Sequence, residues 1–169
     1  RFQERLAKFV SGVAVINAGG STEVEIKDRK LRIEDAVNAA TAARLEGIVP
    51  GGGTAFLNAI PAVRAYAESL TGDRKTGAEI LIKALEMPCF QVGQNAGLDG
   101  NAVVSEVKRR KAGIGFDAAS MTYGNLLKRG VIDPVKVSRL ALESAVSVAA
   151  TLLTSQASIA DVVAVNNRL

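Results

Sequence analysis

The segment from Glu23 to Glu46 constrains this chain more than any other, because it carries its own start and stop signals. Thr22 and Glu25 stand at the S/T-x-x-E spacing of a capping box. Gly47 supplies a helix stop. At roughly 1.5 Å per residue a helix over 23–46 is about 36 Å long. Its apolar stripe is Ile26, Ile33, Val37 and Ala40. With about 100° per residue, Asp35 falls on the opposite side beside Leu31, Asn38, Ala39 and Ala42, facing solvent or a cleft. An exposed aspartate on a helix is ordinary, so the pattern alone does not select a catalytic role for it.

The helix runs into Gly47-Ile48-Val49-Pro50 and then Gly51-Gly52-Gly53. Glycine lets backbone approach a ligand and take positive φ. A glycine turn opening a helix can hold an anion on free N–H groups. Neither GxxxxGK[ST] nor GxGxxG is present. By themselves the three glycines read as a flexible loop before they read as a phosphate cradle.

The remainder is mostly helical in pattern. Phe2, Leu6, Phe9 and Val10 mark the end of a helix. Val13 to Ile16 is a short β-prone run and predicts one strand. Thr54 to Leu70 is helical despite Pro61. Asp73 to Ala96 predicts one helix kinked at Pro88, with Ile80, Leu81, Ala84 and Leu85 on its core face. Asn101 to Lys111 predicts a shorter helix with Val103, Val104 and Val107 inward. Gly113 to Asp117 is extended and turns at Ala118-Ala119. Tyr123 to Leu127 predicts a short helix. Asp133-Pro134 has the form of a helix start, with Asp as N-cap and Pro in the first helical position. That helix runs to about Thr154, and its second half is apolar nearly all round, which predicts burial. Ser158 to Val165 predicts a final strand, able to pair with another chain.

Composition removes several classes of chemistry. There is no histidine, which excludes Ser-His-Asp and Cys-His catalysis within the chain and argues against zinc. Cys89 is the only cysteine, so no intrachain disulfide forms, which fits a reducing compartment. The net charge is +4 and the one basic run is Lys108 to Lys111. That run suits a helix C-terminus better than a nucleic-acid footprint. No apolar run reads as a membrane span. The chain opens on Arg1 within an amphipathic pattern, so a longer natural chain is expected upstream.

Several ordered motifs resemble the C-terminal part of a group I chaperonin, the bacterial GroEL family and its mitochondrial and plastid relatives (60 kDa chaperonins). They are QERLAKFVSGVAVI at 3–16, TEVEIKDRKLRIEDA at 22–36, EGIVPGGG at 46–53, QNAGLDG at 94–100, GFDAAS at 115–120 and GVIDPVKVSR at 130–139. The resemblance implies a mainly α fold: the multi-helical C-terminal half of a GroEL-like equatorial domain, with part of the α/β intermediate hinge domain. Residues 1–13 would end the apical domain, 14–45 belong to the hinge segment, and 46–169 form the equatorial, ATP-binding part.

It implies an ATPase that drives refolding of unfolded proteins, with ATP and Mg2+ as cofactors. Asp35 would be the catalytic carboxylate. Gly51, Gly52, Asp117, Ala118, Ala119 and Asp133 would hold nucleotide, Asp117 replacing the Asn found in other members, and Asp133 meeting the ribose. No metal ligand is expected in this chain. The implied partners are identical subunits in heptameric rings, a 10 kDa-type co-chaperonin lid and unfolded clients, with no nucleic acid and no membrane. The implied location is bacterial cytoplasm, or else plastid stroma or mitochondrial matrix. Two other readings stand beside it: a non-hydrolysing assembly scaffold that keeps only the equatorial packing surfaces, and a basic nucleic-acid-binding domain using Lys108 to Lys111.

Overall fold

Helix α1 spans Glu23–Glu46, the limits its caps predict. The Thr22 Oγ1 accepts the Glu25 N–H at 3.2 Å. The Glu25 carboxylate accepts the N–H of Ser21 at 2.8 Å, so the reciprocal arm of the box closes one residue upstream of the cap. Pairs four residues apart line its exposed surface, among them Lys27–Glu23 at 2.7 Å and Arg32–Asp28 at 2.9 Å. At the far end Gly47 takes φ +87° and donates to the Ala43 carbonyl at 2.8 Å. The apolar stripe stays uncovered: no residue of α1 is buried, and Val37 is exposed.

The computed structural model describes residues 14–159, with Phe2, Arg5 and Phe9. Those three are helical; the rest of the segment 1–13, including Val13, lies outside the described residues. The chain divides into two compact units, Arg1–Ala40 and Thr41–Leu169. Ala14 to Ile16 form no strand, contrary to the sequence expectation. A strand needs a neighbour to take its backbone hydrogen bonds, and among the described residues none pairs with this run.

The second unit continues with β1 (Ile48–Pro50), α2 (Thr54–Glu68), α3 (Asp73–Ala84), α4 (Met87–Asn95) and α5 (Gly100–Arg109). There follow β2 (Ile114–Asp117), β3 (Thr122–Asn125), α6 (Leu126–Arg129), β4 (Ile132–Pro134) and α7 (Val135–Thr154). Two small antiparallel sheets form, β1 with β4 and β2 with β3. The core gathers Leu57 and Ile60 of α2, Ile82 and Leu85, Cys89 of α4, Val103, Val104 and Val107 of α5, and Phe116 of β2. The inward face expected for α5 is thus the buried one, and Asp99 caps that helix by accepting the Asn101 N–H at 3.0 Å.

Four expectations are corrected. Residues 73–96 are two helices rather than one kinked helix, because α4 starts afresh with Pro88 in its first turn, where no N–H is needed. The α3 face is only partly as expected: Leu85 is buried and Leu81 packs against the core, but Ile80 is 63% exposed, Ala84 is exposed, and Ile82 is buried instead. Of the helix expected over Tyr123 to Leu127, Leu126 and Leu127 are helical, in α6, whereas Tyr123 to Asn125 belong to strand β3. Pairing with β2 wins over local propensity, and the Tyr123 ring packs on Phe116 at 5.3 Å between centroids. No residue of α7 is buried, and Leu153 is 84% exposed. Leu142, Val146 and Leu153 of α7 instead line an open apolar groove of about 390 Å³ with Ile80, Leu81 and Ala84.

By length and composition α7 is also the one described helix able to cross a membrane, contrary to the sequence reading. It carries Lys136, Arg139 and Glu143, and Arg139 is ion-paired. Of the expected final strand, Ser158 and Ile159 have no regular structure and the rest lies outside the described residues.

Candidate functional site

Strands β1 and β4 zip together two segments far apart in sequence. Ile48 pairs with Pro134, Val49 with Asp133 and Pro50 with Ile132. The ladder is extended at both ends: Val135 donates to the Gly47 carbonyl at 3.1 Å, and Gly51 donates to the Val131 carbonyl at 3.0 Å. This pairing overturns the helix-start reading of Asp133. Pro134 is the N-cap of α7, in an extended conformation at φ −66°, ψ 132°, and no side chain caps that helix. Asp133 is held one residue further back, inside the strand. A Cβ placed on Gly51 would lie 3.3 Å from Asp133 Oδ1, so the carboxylate rests against bare backbone.

The glycine turn is packed, not a loose loop. Gly51 is buried, and Gly52 and Gly53 take φ of +61° and +73°. Gly53 is the N-cap of α2, and a Cβ there would fall 2.4 Å from the Cys89 backbone nitrogen. Glycine is therefore needed at 53 both for its φ and for the approach of α4. At Gly52 a Cβ would sit 3.4 Å from the Phe116 carbonyl oxygen, which brings β2 against the turn.

Two residues that sequence reasoning passed over complete this junction. Thr54 is fully buried, and its Oγ1 has no hydrogen-bond partner among the described residues. A Cβ on Gly115 would lie 2.2 Å from that oxygen and 2.6 Å from Leu126 Cδ1. The signal available in the sequence was the glycine inside a strand, which marks a close approach.

Asp117 ends β2 and anchors the turn of the β2–β3 hairpin. Its Oδ1 accepts the N–H groups of Ala119 and Ser120 at 3.1 and 3.5 Å. Its Oδ2 accepts the Ser120 hydroxyl at 2.6 Å and lies 3.4 Å from Arg129 Nη1. The Ser120 hydroxyl, ahead of the turn amides and Arg129, holds the Asp117 carboxyl below the usual aspartate range. Ala118 and Ala119 are exposed at the turn. Gly51, Gly52, Asp117, Ala118, Ala119 and Asp133 all belong to the second unit, whereas Asp35 belongs to the first, where it is exposed.

Three cations of the basic run at the end of α5 pair with neighbouring acids. Lys108 pairs with Glu86, Arg109 and Arg110 both pair with Glu106, and Arg110 covers the Tyr123 ring at 4.7 Å. Among the described residues no group of three His, Cys, Asp or Glu could hold a metal ion. What the junction offers is side-chain-free backbone at two glycines, a carboxylate able to accept hydroxyls, and an exposed dialanine turn. A family model described as the TCP-1/cpn60 chaperonin family matches residues 7–162.

Proposed function

Since the chain belongs to the TCP-1/cpn60 chaperonin family, we propose that it serves as a subunit that binds and hydrolyses ATP to refold unfolded proteins. The observation that carries the nucleotide part is the convergence at Gly51. The Asp133 carboxylate, free of any capping duty, lies against a glycine whose Cβ would sit 3.3 Å from it. Gly51 and Gly52 present backbone without side chains, packed against Asp133 and Val131 and against the Phe116 carbonyl.

In this reading the ribose hydroxyls donate to Asp133, backbone of Gly51 and Gly52 meets the nucleotide, and Ala118 and Ala119 flank the base. The triphosphate supplies the phosphoanhydride bond whose cleavage is the reaction, and Mg2+ accompanies it without a ligand assigned in this chain. Asp35 takes the proton of the attacking water as general base, a contribution of roughly 10²–10⁴-fold in rate. Heptameric rings, a 10 kDa-type lid and unfolded clients complete the proposal. The exposed apolar residues of α7 support burial in an assembly. Bacterial cytoplasm, plastid stroma and mitochondrial matrix all suit a chain whose one cysteine, Cys89, is a buried free thiol.

The test is recovery of a chemically unfolded client by the full-length protein with its co-chaperonin, with and without Mg2+ and ATP. ATP-dependent recovery supports the proposal. Ring assembly without nucleotide binding or recovery would support the scaffold reading in its place.

A further inference from the structure

Arg129 is the last residue of α6, and its guanidinium folds back over the β2–β3 hairpin. It lies flat on Gly124: a Cβ there would fall 2.5 Å from Cζ, Nε and Nη2. From that seat Nη1 donates to Thr122 Oγ1 at 2.8 Å and to Ser120 Oγ at 3.3 Å, and lies 3.4 Å from Asp117 Oδ2. Nη2 donates to the Tyr123 carbonyl at 3.5 Å. The Ser120 and Thr122 hydroxyls are themselves 2.8 Å apart. One cation thus ties both strands of the hairpin to the turn between them.

The carboxylate of Asp117 is used up inside this network. An ionised aspartate has about four lone-pair sites. Two backbone N–H groups, one hydroxyl and one guanidinium N–H occupy them here. A ligand group seeking Asp117 would have to displace one of these. The exposed side chains left at the turn are Ala118, Ala119 and Met121, and the backbone course of the dialanine is set by the Asp117 hydrogen bonds.

We infer that Arg129 is a positioning residue: seated on Gly124, it latches Asp117, Ser120 and Thr122 so that Ala118 and Ala119 present a fixed surface to a nucleotide base. The base-binding half of this inference rests on the nucleotide reading above; the latch itself does not. Asp117 then acts through the turn it closes, and the ionised state of its carboxyl keeps the latch shut at neutral pH.

Two variants open the latch by different routes. Arg129→Met removes the cation. Gly124→Ala keeps it but denies the guanidinium its seat, and only the far end of a flexible side chain must move. The full-length protein and both variants are compared by amide hydrogen exchange at Ala119 and Ser120, and by equilibrium binding of ATP and of inorganic tripolyphosphate, which has no base. Both variants should exchange faster by about tenfold, as for loss of one charge-assisted hydrogen bond. ATP should weaken by a similar factor while tripolyphosphate binding is kept, and Arg129→Lys should recover part of both effects. Unchanged exchange would overturn the latch. Equal weakening of ATP and tripolyphosphate would overturn the positioning role. Absence of ATP binding by the wild-type protein would remove the nucleotide reading and the positioning role together, while exchange would still decide the latch.

Discussion

Arg139 reaches 93 residues back along the chain and grips both carboxylate oxygens of Glu46, with Nη2 to Oε1 at 2.8 Å and Nε to Oε2 at 3.1 Å. Its remaining nitrogen, Nη1, holds Glu143 one turn further along α7 at 2.9 Å. The fork ties the last turn of α1 to the first turns of α7, beside the β1–β4 ladder. The Arg139 hydrogen bond lowers the pKa of Glu46 below the usual glutamate range. A carboxylate with a lowered folded pKa adds stability above its unfolded pKa, and that stability fades as pH falls through the folded value. Arg139→Gln should therefore lower Tm at neutral pH and leave it nearly unchanged at strongly acidic pH. The difference should also shrink at high salt, since both side chains are partly exposed. Thermal melts across pH and salt check this; a pH-independent loss would assign the effect to packing.

The glycine turn predicts a graded response. Gly53→Ala must take φ +73° and place a methyl 2.4 Å from the Cys89 nitrogen, so it should cost at least about 3 kcal/mol or abolish folding. Gly52→Ala meets only ordinary contact at 3.4 Å and should cost about 1–2 kcal/mol for its left-handed φ. Urea titrations of the two variants check the order, and a Gly53→Ala that is as stable as Gly52→Ala would contradict the packing described.

Asp133→Ala should leave stability nearly intact, because the side chain makes no capping hydrogen bond to α7. Had Asp133 been the N-cap, the loss would be about 1 kcal/mol. Its nucleotide affinity should fall, read by equilibrium titration beside a denaturation curve.

Asp35→Ala is expected to separate chemistry from binding. Asp35 is exposed on α1, and alanine is the better helix former, so the fold should not suffer. Single-turnover hydrolysis should slow by roughly 10²–10⁴-fold with ATP affinity kept. A proportional loss of affinity and rate, or full turnover, would remove Asp35 from the role of base.

The uncovered apolar side of α7 predicts self-association of this chain. Val148 is 61% exposed and Leu152 68%. Light scattering should show mass rising with concentration. Val148→Lys with Leu152→Lys should reduce that growth and leave the helix content by circular dichroism unchanged.

The sequence by itself determined what is decided within a few residues of chain. The Thr22–Glu25 pair and Gly47 set both ends of α1, and the spacing of Val103, Val104 and Val107 set the inward face of α5. Motif order was enough to point to the family later matched over residues 7–162. Capping and helical periodicity are local, so they can be read without knowing what lies across the fold.

Only the tertiary structure decided the rest, because strand pairing and burial depend on partners distant in sequence. Asp133-Pro134 has the local form of a cap, yet pairing of Val49 with Asp133 draws the aspartate into a strand and leaves its carboxylate against Gly51. The three glycines look like a loop until α4 arrives at Gly53. Tyr123 leaves its expected helix because Phe116 is across the ladder. The apolar half of α7 looks like core, and burial is a property of what covers a helix, which no periodicity within it can specify.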